Sequence, residues 1–116
     1  MKSEQLFPKA TKENAEARAK AAPEIIDAWR SFSRTVFKAG ALDEKTKQLI
    51  AVAVAHVTQC PYCIHSHSET ALKKGATKEE VMEAVWIAAE MRAGAAYSHS
   101  ILAMDEMEAV EKAKVG

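Results

Sequence analysis

The chain has 116 residues, its 16 Lys plus Arg balance 16 Asp plus Glu to a formal net charge of zero, and 48% of it is hydrophobic. That length suits one domain with one core, and the balanced charge provides no field to draw the chain onto nucleic acid or an anionic membrane. No apolar run approaches the roughly 20 residues of a membrane span and Met1 to Lys12 lacks the apolar core of a signal peptide, so the expected location is the cytoplasm.

Strand signals are scarce, and the three prolines and four glycines stand where helices can start or stop, which predicts an all-α fold of about six helices. Thr11 to Ala21 is rich in Ala, Glu and Lys, and reads as a solvated helix or arm. Pro23 opens a second helix that places Ile25, Trp29, Phe32 and Val36 on one face, and Gly40 is expected to end it. Asp43 is a good N-cap for a third helix. From Leu49 to Val57 that helix is apolar nearly all round, which predicts burial on most sides. Ala51 to Ala55 fits a short buried strand as well, since periodicity alone does not separate the two; the alanines and the Lys45 to Leu49 lead-in favour helix.

Cys60 and Pro61 open a fourth helix, with Cys60 near the N-cap, Pro61 at the first position and Gly75 as the stop. Thr77 and Glu80 form a capping box for a fifth. It carries Val81, Val85 and Ala88 beside Met82, Trp86 and Ala89 and runs to about Gly94, after which a last helical stretch holds Tyr97, Ile101, Leu102 and Met107. Trp29 and Trp86 read as core or subunit contacts.

The chemistry concentrates in Cys60-Pro61-Tyr62-Cys63 with His67 four residues on, and these are the only two cysteines. Thiols three residues apart close a disulfide when the segment is helical or tightly turned, because their Cα atoms then fall within roughly 4.4 to 6.8 Å. In a reducing compartment such a pair reads as redox-active or metal-binding rather than as a permanent staple. A sulfur at the helix start meets unpaired amides and the positive end of the dipole, so the pKa of Cys60 should fall. His67 lies one turn beyond Cys63 on the same face and can take its proton, giving a thiolate beside an imidazolium. Attack on a peroxide would leave a sulfenic acid that the neighbouring thiol converts to a disulfide. The helix dipole favours Cys60 as the attacking sulfur, whereas the His67 pairing favours Cys63.

Zinc fits poorly: it needs four ligands at about 2.0 to 2.3 Å, whereas Cys60 and His67 are separated by about 10.5 Å of helical rise. No metal and no cofactor are expected. His65 points about 200° around the helix from Cys63 and reads as a surface or interface residue. His56 and His99 read either as satisfied histidines or as proton carriers, and Tyr62 either packs or hydrogen-bonds near the sulfurs.

The run Leu42 to Ile50, then Ala51 to Val57, then Cys60 to His67, continuing through Gly75-Ala76-Thr77 to Tyr97-Ser98-His99, resembles the carboxymuconolactone decarboxylase superfamily, and within it the alkylhydroperoxidase AhpD-like branch. The resemblance spans about Pro23 to Met107 and implies an all-α domain over 23–116 behind a helical arm over 1–22, assembled as a homo-trimer or homo-hexamer. It further implies a peroxidase-type oxidoreductase that reduces a hydroperoxide and is recharged by a thiol or dithiol reductant. By the family's pattern Cys63 attacks, Cys60 resolves, and His67 relays protons with a glutamate twelve residues before the first cysteine. That position holds Gln48 here, and an amide can hold a proton donor or acceptor but cannot itself act as the acid or base. Turnover then depends on a replacement, for which Glu44, one turn earlier, and His56 are candidates.

Three other functions compete. Cys-Pro-Tyr-Cys also occurs in glutaredoxins, but that α/β fold requires strands and a later proline loop, and no proline follows Pro61. Lactone decarboxylation, the reaction that names the superfamily, does not depend on a CxxC. A non-enzymatic helical oligomer that senses redox state would be oxidised once and would not turn over.

Overall fold

In the computed structural model, residues 6–115 are described. Among them lie five helices: α1 (Lys12–Ala21), α2 (Pro23–Phe37), α3 (Glu44–Thr58), α4 (Pro61–Lys73) and α5 (Lys78–Val115). The described residues contain no strand, so Ala51 to Ala55 is helical. The chain divides into two compact units, Met1–Glu44 and Lys45–Gly116.

In the first unit, Thr11 caps α1 through a capping box with Asn14: the Thr11 Oγ1 accepts from the Asn14 N–H at 3.1 Å and the Asn14 Oδ1 accepts from the Thr11 N–H at 3.2 Å. No residue of α1 is buried, as its Ala, Glu and Lys content leads one to expect. Pro23 starts α2, where its missing N–H costs nothing. Ile25, Trp29, Phe32 and Val36 do form one apolar stripe, but all four are exposed. Gly40 is not the stop. Helix α2 ends at Phe37 because Lys38 turns extended, at φ −68° and ψ 153°.

In the second unit a small core joins α3, the end of α4 and the start of α5. Val52, Ala71, Ala76 and Ala84 are buried in it, with Leu49, Ala53, Val81 and Val85 packed against them. Alanine at most of these positions allows helix backbones to approach closely, at the cost of little apolar area per residue. Two contacts fix α5 against α3. Lys45 Nζ meets Glu80 Oε2 at 2.9 Å, and Arg92 Nη1 donates to the Val57 carbonyl at 3.3 Å.

The end of α4 closes as the sequence suggests. Gly75, at φ 98°, takes the left-handed position, its N–H bonds Leu72 O at 3.0 Å, and the Ala76 N–H reaches back to Ala71 O at 2.9 Å. Thr77 and Glu80 then exchange side-chain to backbone bonds at 2.9 and 3.0 Å to start α5.

Three expectations need correction. Helix α5 runs unbroken for 38 residues through Gly94, so the two last expected helices are one and the count is five. A glycine in a helix costs about 1 kcal/mol, too little to stop a helix that is already propagating on both sides. Helix α3 is not buried on most sides: Val52 and Ala55 are, but Ile50, Val54 and Val57 are 47%, 53% and 44% exposed. Trp29 and Trp86, 58% and 68% exposed, are not core residues.

Candidate functional site: a dithiol at a helix N-terminus

Cys60 serves two helix ends at once. Its N–H donates to Ala55 O at 3.1 Å, which closes α3 around Gln59 in the left-handed conformation at φ 57°. This is the bond that runs from the second residue past a helix back into its last turn. Cys60 itself is extended, at φ −97° and ψ 103°, and is the N-cap of α4, with Pro61 following in the first turn. Its carbonyl accepts the first helical bond from the Ile64 N–H at 2.9 Å, and its Sγ accepts from the Cys63 N–H at 3.3 Å. A side chain that accepts at the N-cap satisfies an otherwise orphaned amide, and negative charge there is favoured by the helix dipole.

Both cysteines are free thiols and half-buried. The Cys63 thiol, its backbone N–H and the Tyr62 N–H all donate to the Cys60 sulfur and hold its pKa below the ordinary thiol value. The same bond works in reverse on Cys63, which is the donor; with burial and the charge on Cys60 it pushes the Cys63 pKa up. Of the two sulfurs, Cys60 is thus the more acidic and Cys63 the one that holds its proton more tightly. Burial also lowers the pKa of His67, so its ring is held neutral. Both directions run against the pairing of a Cys63 thiolate with a His67 imidazolium that spacing suggests.

His67 is tied to the neighbouring helix. Its Nδ1 lies 2.7 Å from Oε1 of Gln48, which is 6% exposed and reaches across from α3. The sequence marks Gln48, with Glu44 and His56, as a possible relay position, but nothing in its spacing predicts this contact with His67. Glu44 begins α3 one turn before Gln48 and is half-buried. His56 stands in the last turn of α3, and its Nδ1 donates to Val52 O of its own helix at 2.8 Å, leaving Nε2 as the one nitrogen for any relay. Tyr62 is exposed between the cysteines, and His99 is exposed on α5. His65 faces solvent, with Glu69 at 3.9 Å. Gln59 carried no signal at all, since left-handed residues after a helix are usually glycine. Among the described residues, no three His, Cys, Asp or Glu side chains gather as a metal-binding group, and no helix is long and apolar enough to cross a membrane.

Fold and site together define a small all-helical protein with a dithiol at a helix start, a neutral histidine one turn in, and an amide behind the histidine. The carboxymuconolactone decarboxylase family model matches residues 23–106, and the chain belongs to that family. It is 53% identical over 107 residues to "uncharacterized protein 4 in cox locus" of Paracoccus denitrificans, covering 92% of this chain and 96% of that one. A carboxymuconolactone decarboxylase family protein of Legionella pneumophila superposes with a TM-score of 0.65 at 42% identity, over 68% of this chain and 70% of that one. The alkyl hydroperoxide reductase AhpD of Corynebacterium kroppenstedtii is 39% identical over 51 residues, which are 44% of this chain and 29% of the reductase.

Proposed function

We propose that the protein is a thiol-dependent peroxidase of AhpD type that cycles Cys60 and Cys63 between dithiol and disulfide. The observation that carries this reading is the Cys60 sulfur at the N-cap of α4, accepting from the Cys63 N–H at 3.3 Å with His67 one turn further on. The partial likeness to the Corynebacterium reductase supports it.

The chemistry balances with two thiols and one hydroperoxide. Cys63 gives its proton to His67, and its thiolate attacks one peroxide oxygen, breaking the O–O bond; the Cys63 sulfur becomes a sulfenic acid and the alkoxide leaves as an alcohol after taking the proton. The Cys60 thiolate then attacks the Cys63 sulfur and expels hydroxide, which leaves as water on protonation, and a disulfide remains. A thiol or dithiol reductant returns two electrons and two protons by exchange. An amide at Gln48 cannot share in the proton transfers, so His67 carries them.

A second assignment, with Cys60 as the attacker and Cys63 resolving, is favoured by the depressed pKa of Cys60. Single-cysteine variants treated with one equivalent of organic hydroperoxide and a sulfenic-acid trap separate the two: adduct at Cys63 in Cys60→Ser supports the first, and adduct only at Cys60 in Cys63→Ser supports the second. The overall reading is tested by hydroperoxide consumption with excess dithiol. Wild type should turn over many times and Cys63→Ser should lose the activity. Unchanged consumption in Cys63→Ser, or oxidation of wild type that stops after one equivalent, would rule the peroxidase out, and the latter would leave a redox sensor.

Self-association belongs to the same proposal. The second half of α5 presents Tyr97, Ile101, Leu102 and Met107 to solvent, and an apolar groove of about 630 Å³ between α3 and α5 is lined by residues that include Leu49, Ile50, Val54, Ile87 and Met91 and by no residue of the thiol site. Surfaces of this kind mark association sites, and other copies of the chain in a trimer or hexamer are the proposed cover.

A further inference from the structure

His67 Nδ1 and Gln48 Oε1 are 2.7 Å apart, and Gln48 is buried. The amide oxygen can only accept, so the hydrogen in this bond belongs to Nδ1. A neutral imidazole carries one N–H, and with Nδ1 protonated the lone pair stands on Nε2. Cys63 precedes His67 by four residues in α4, the spacing at which helical side chains meet.

We infer that Gln48 is a positioning residue: its carbonyl locks His67 in the Nδ1–H tautomer, and this leaves Nε2 as the atom that takes and returns the Cys63 proton. When the proton arrives at Nε2 the ring becomes an imidazolium, and the bond from Nδ1–H to the Gln48 oxygen persists and strengthens because its donor is now charged. The amide holds the ring in both states and accepts no proton itself. A glutamate here could hold the ring in the same way, but could also draw the proton onward. The Gln48 amide offers no such onward path, and the proton that leaves the thiol is returned from Nε2 to the departing oxygen.

This inference rests on the thiol chemistry proposed above only in naming Cys63 as the proton source, and its test is read on the resting, reduced full-length protein. Nitrogen-15 NMR of the histidine rings, with His67 assigned by the signals that vanish in His67→Asn, reports which ring nitrogen bears hydrogen. The wild type should show a protonated Nδ1 and a bare Nε2. Gln48→Leu should lose that pattern and shift toward Nε2–H. Gln48→Glu should keep Nδ1–H and move the His67 titration to higher pH, because a carboxylate stabilises the imidazolium. A wild-type ring protonated at Nε2, or a Gln48→Leu ring still locked at Nδ1–H, would overturn the inference. Should Gln48→Leu fail to fold, the wild-type and Gln48→Glu spectra still decide. A correct tautomer in a protein that consumes no hydroperoxide would sink the peroxidase reading and leave this one standing.

Discussion

Cys60 and Cys63 share one hydrogen bond with opposite consequences, and this coupling is open to direct measurement. The bond to Cys60 is the largest cause of the raised Cys63 pKa, ahead of burial and the charge on Cys60. Cys60→Ala removes the bond and the charge together and leaves only burial. The Cys63 pKa should therefore fall toward the ordinary thiol value without passing far below it, and alkylation rates followed against pH would show the reactive limb of Cys63 moving to lower pH. A limb that stays in place would show that burial alone holds the proton on Cys63. Conversely, Cys63→Ala strips Cys60 of its strongest donor, and the Cys60 limb should move to higher pH while still benefiting from the backbone N–H groups.

Among the elements, the junction of α3 and α4 decides where the sulfurs stand. Gln59 adopts φ 57° there, a conformation that costs an L-residue about 1 to 2 kcal/mol. The bond from the Cys60 N–H to Ala55 O and the N-cap geometry of Cys60 hold it in place. Gln59→Gly relieves the crowding but adds an unfolded-chain entropy penalty of about 0.5 to 1 kcal/mol, so urea unfolding should shift little. Gln59→Val places a branched Cβ in the same region and should lower stability by about 1 kcal/mol or more. Equal losses in both variants would show that the Gln59 side chain itself makes a stabilising contact. The other junction, Lys74 to Thr77, carries a true glycine at φ 98°, and it is also the one whose stop could be read in advance.

For the molecule as a whole, the main physical fact is the shortage of buried apolar groups. Among the described residues, Val52 is the only large side chain that is fully buried, and the other buried hydrophobic residues are alanines. Meanwhile Ile101 and Leu102 are 72% and 71% exposed on α5. Burying one such side chain gains about 1.5 to 3 kcal/mol, so covering this face in the proposed self-association would stabilise the protein. Sedimentation at micromolar concentration should give the mass of a trimer or hexamer, and Ile101→Glu should reduce it. A wild-type monomer would remove the proposed self-association, and an unchanged mass in Ile101→Glu would move the interface elsewhere, with the α3–α5 groove next in line.

What could be read from the sequence was local. Proline at the start of α2 and α4, the Thr77 and Glu80 capping box and Gly75 all act within a few residues, so their effect is written in their spacing. The alignment of Cys60, Cys63 and His67 along α4 is equally local, since helical geometry joins residues three and four apart. Amphipathic stripes could be read too, but a stripe says only that a face is apolar and not what covers it, which is why α2, α3 and Trp86 proved more exposed than expected. Gln59 was illegible because backbone sterics name glycine for its conformation, and only the closure of α3 onto α4 forces a glutamine into it. The state of the site was decided by tertiary structure. Gln48 and His67 lie 19 residues apart and meet only because two helices pack, and burial at that meeting point keeps the ring neutral. Spacing specified a dithiol with a histidine beside it; the packing of α3 on α4 decided what stands behind that histidine, a buried amide oxygen 2.7 Å from Nδ1.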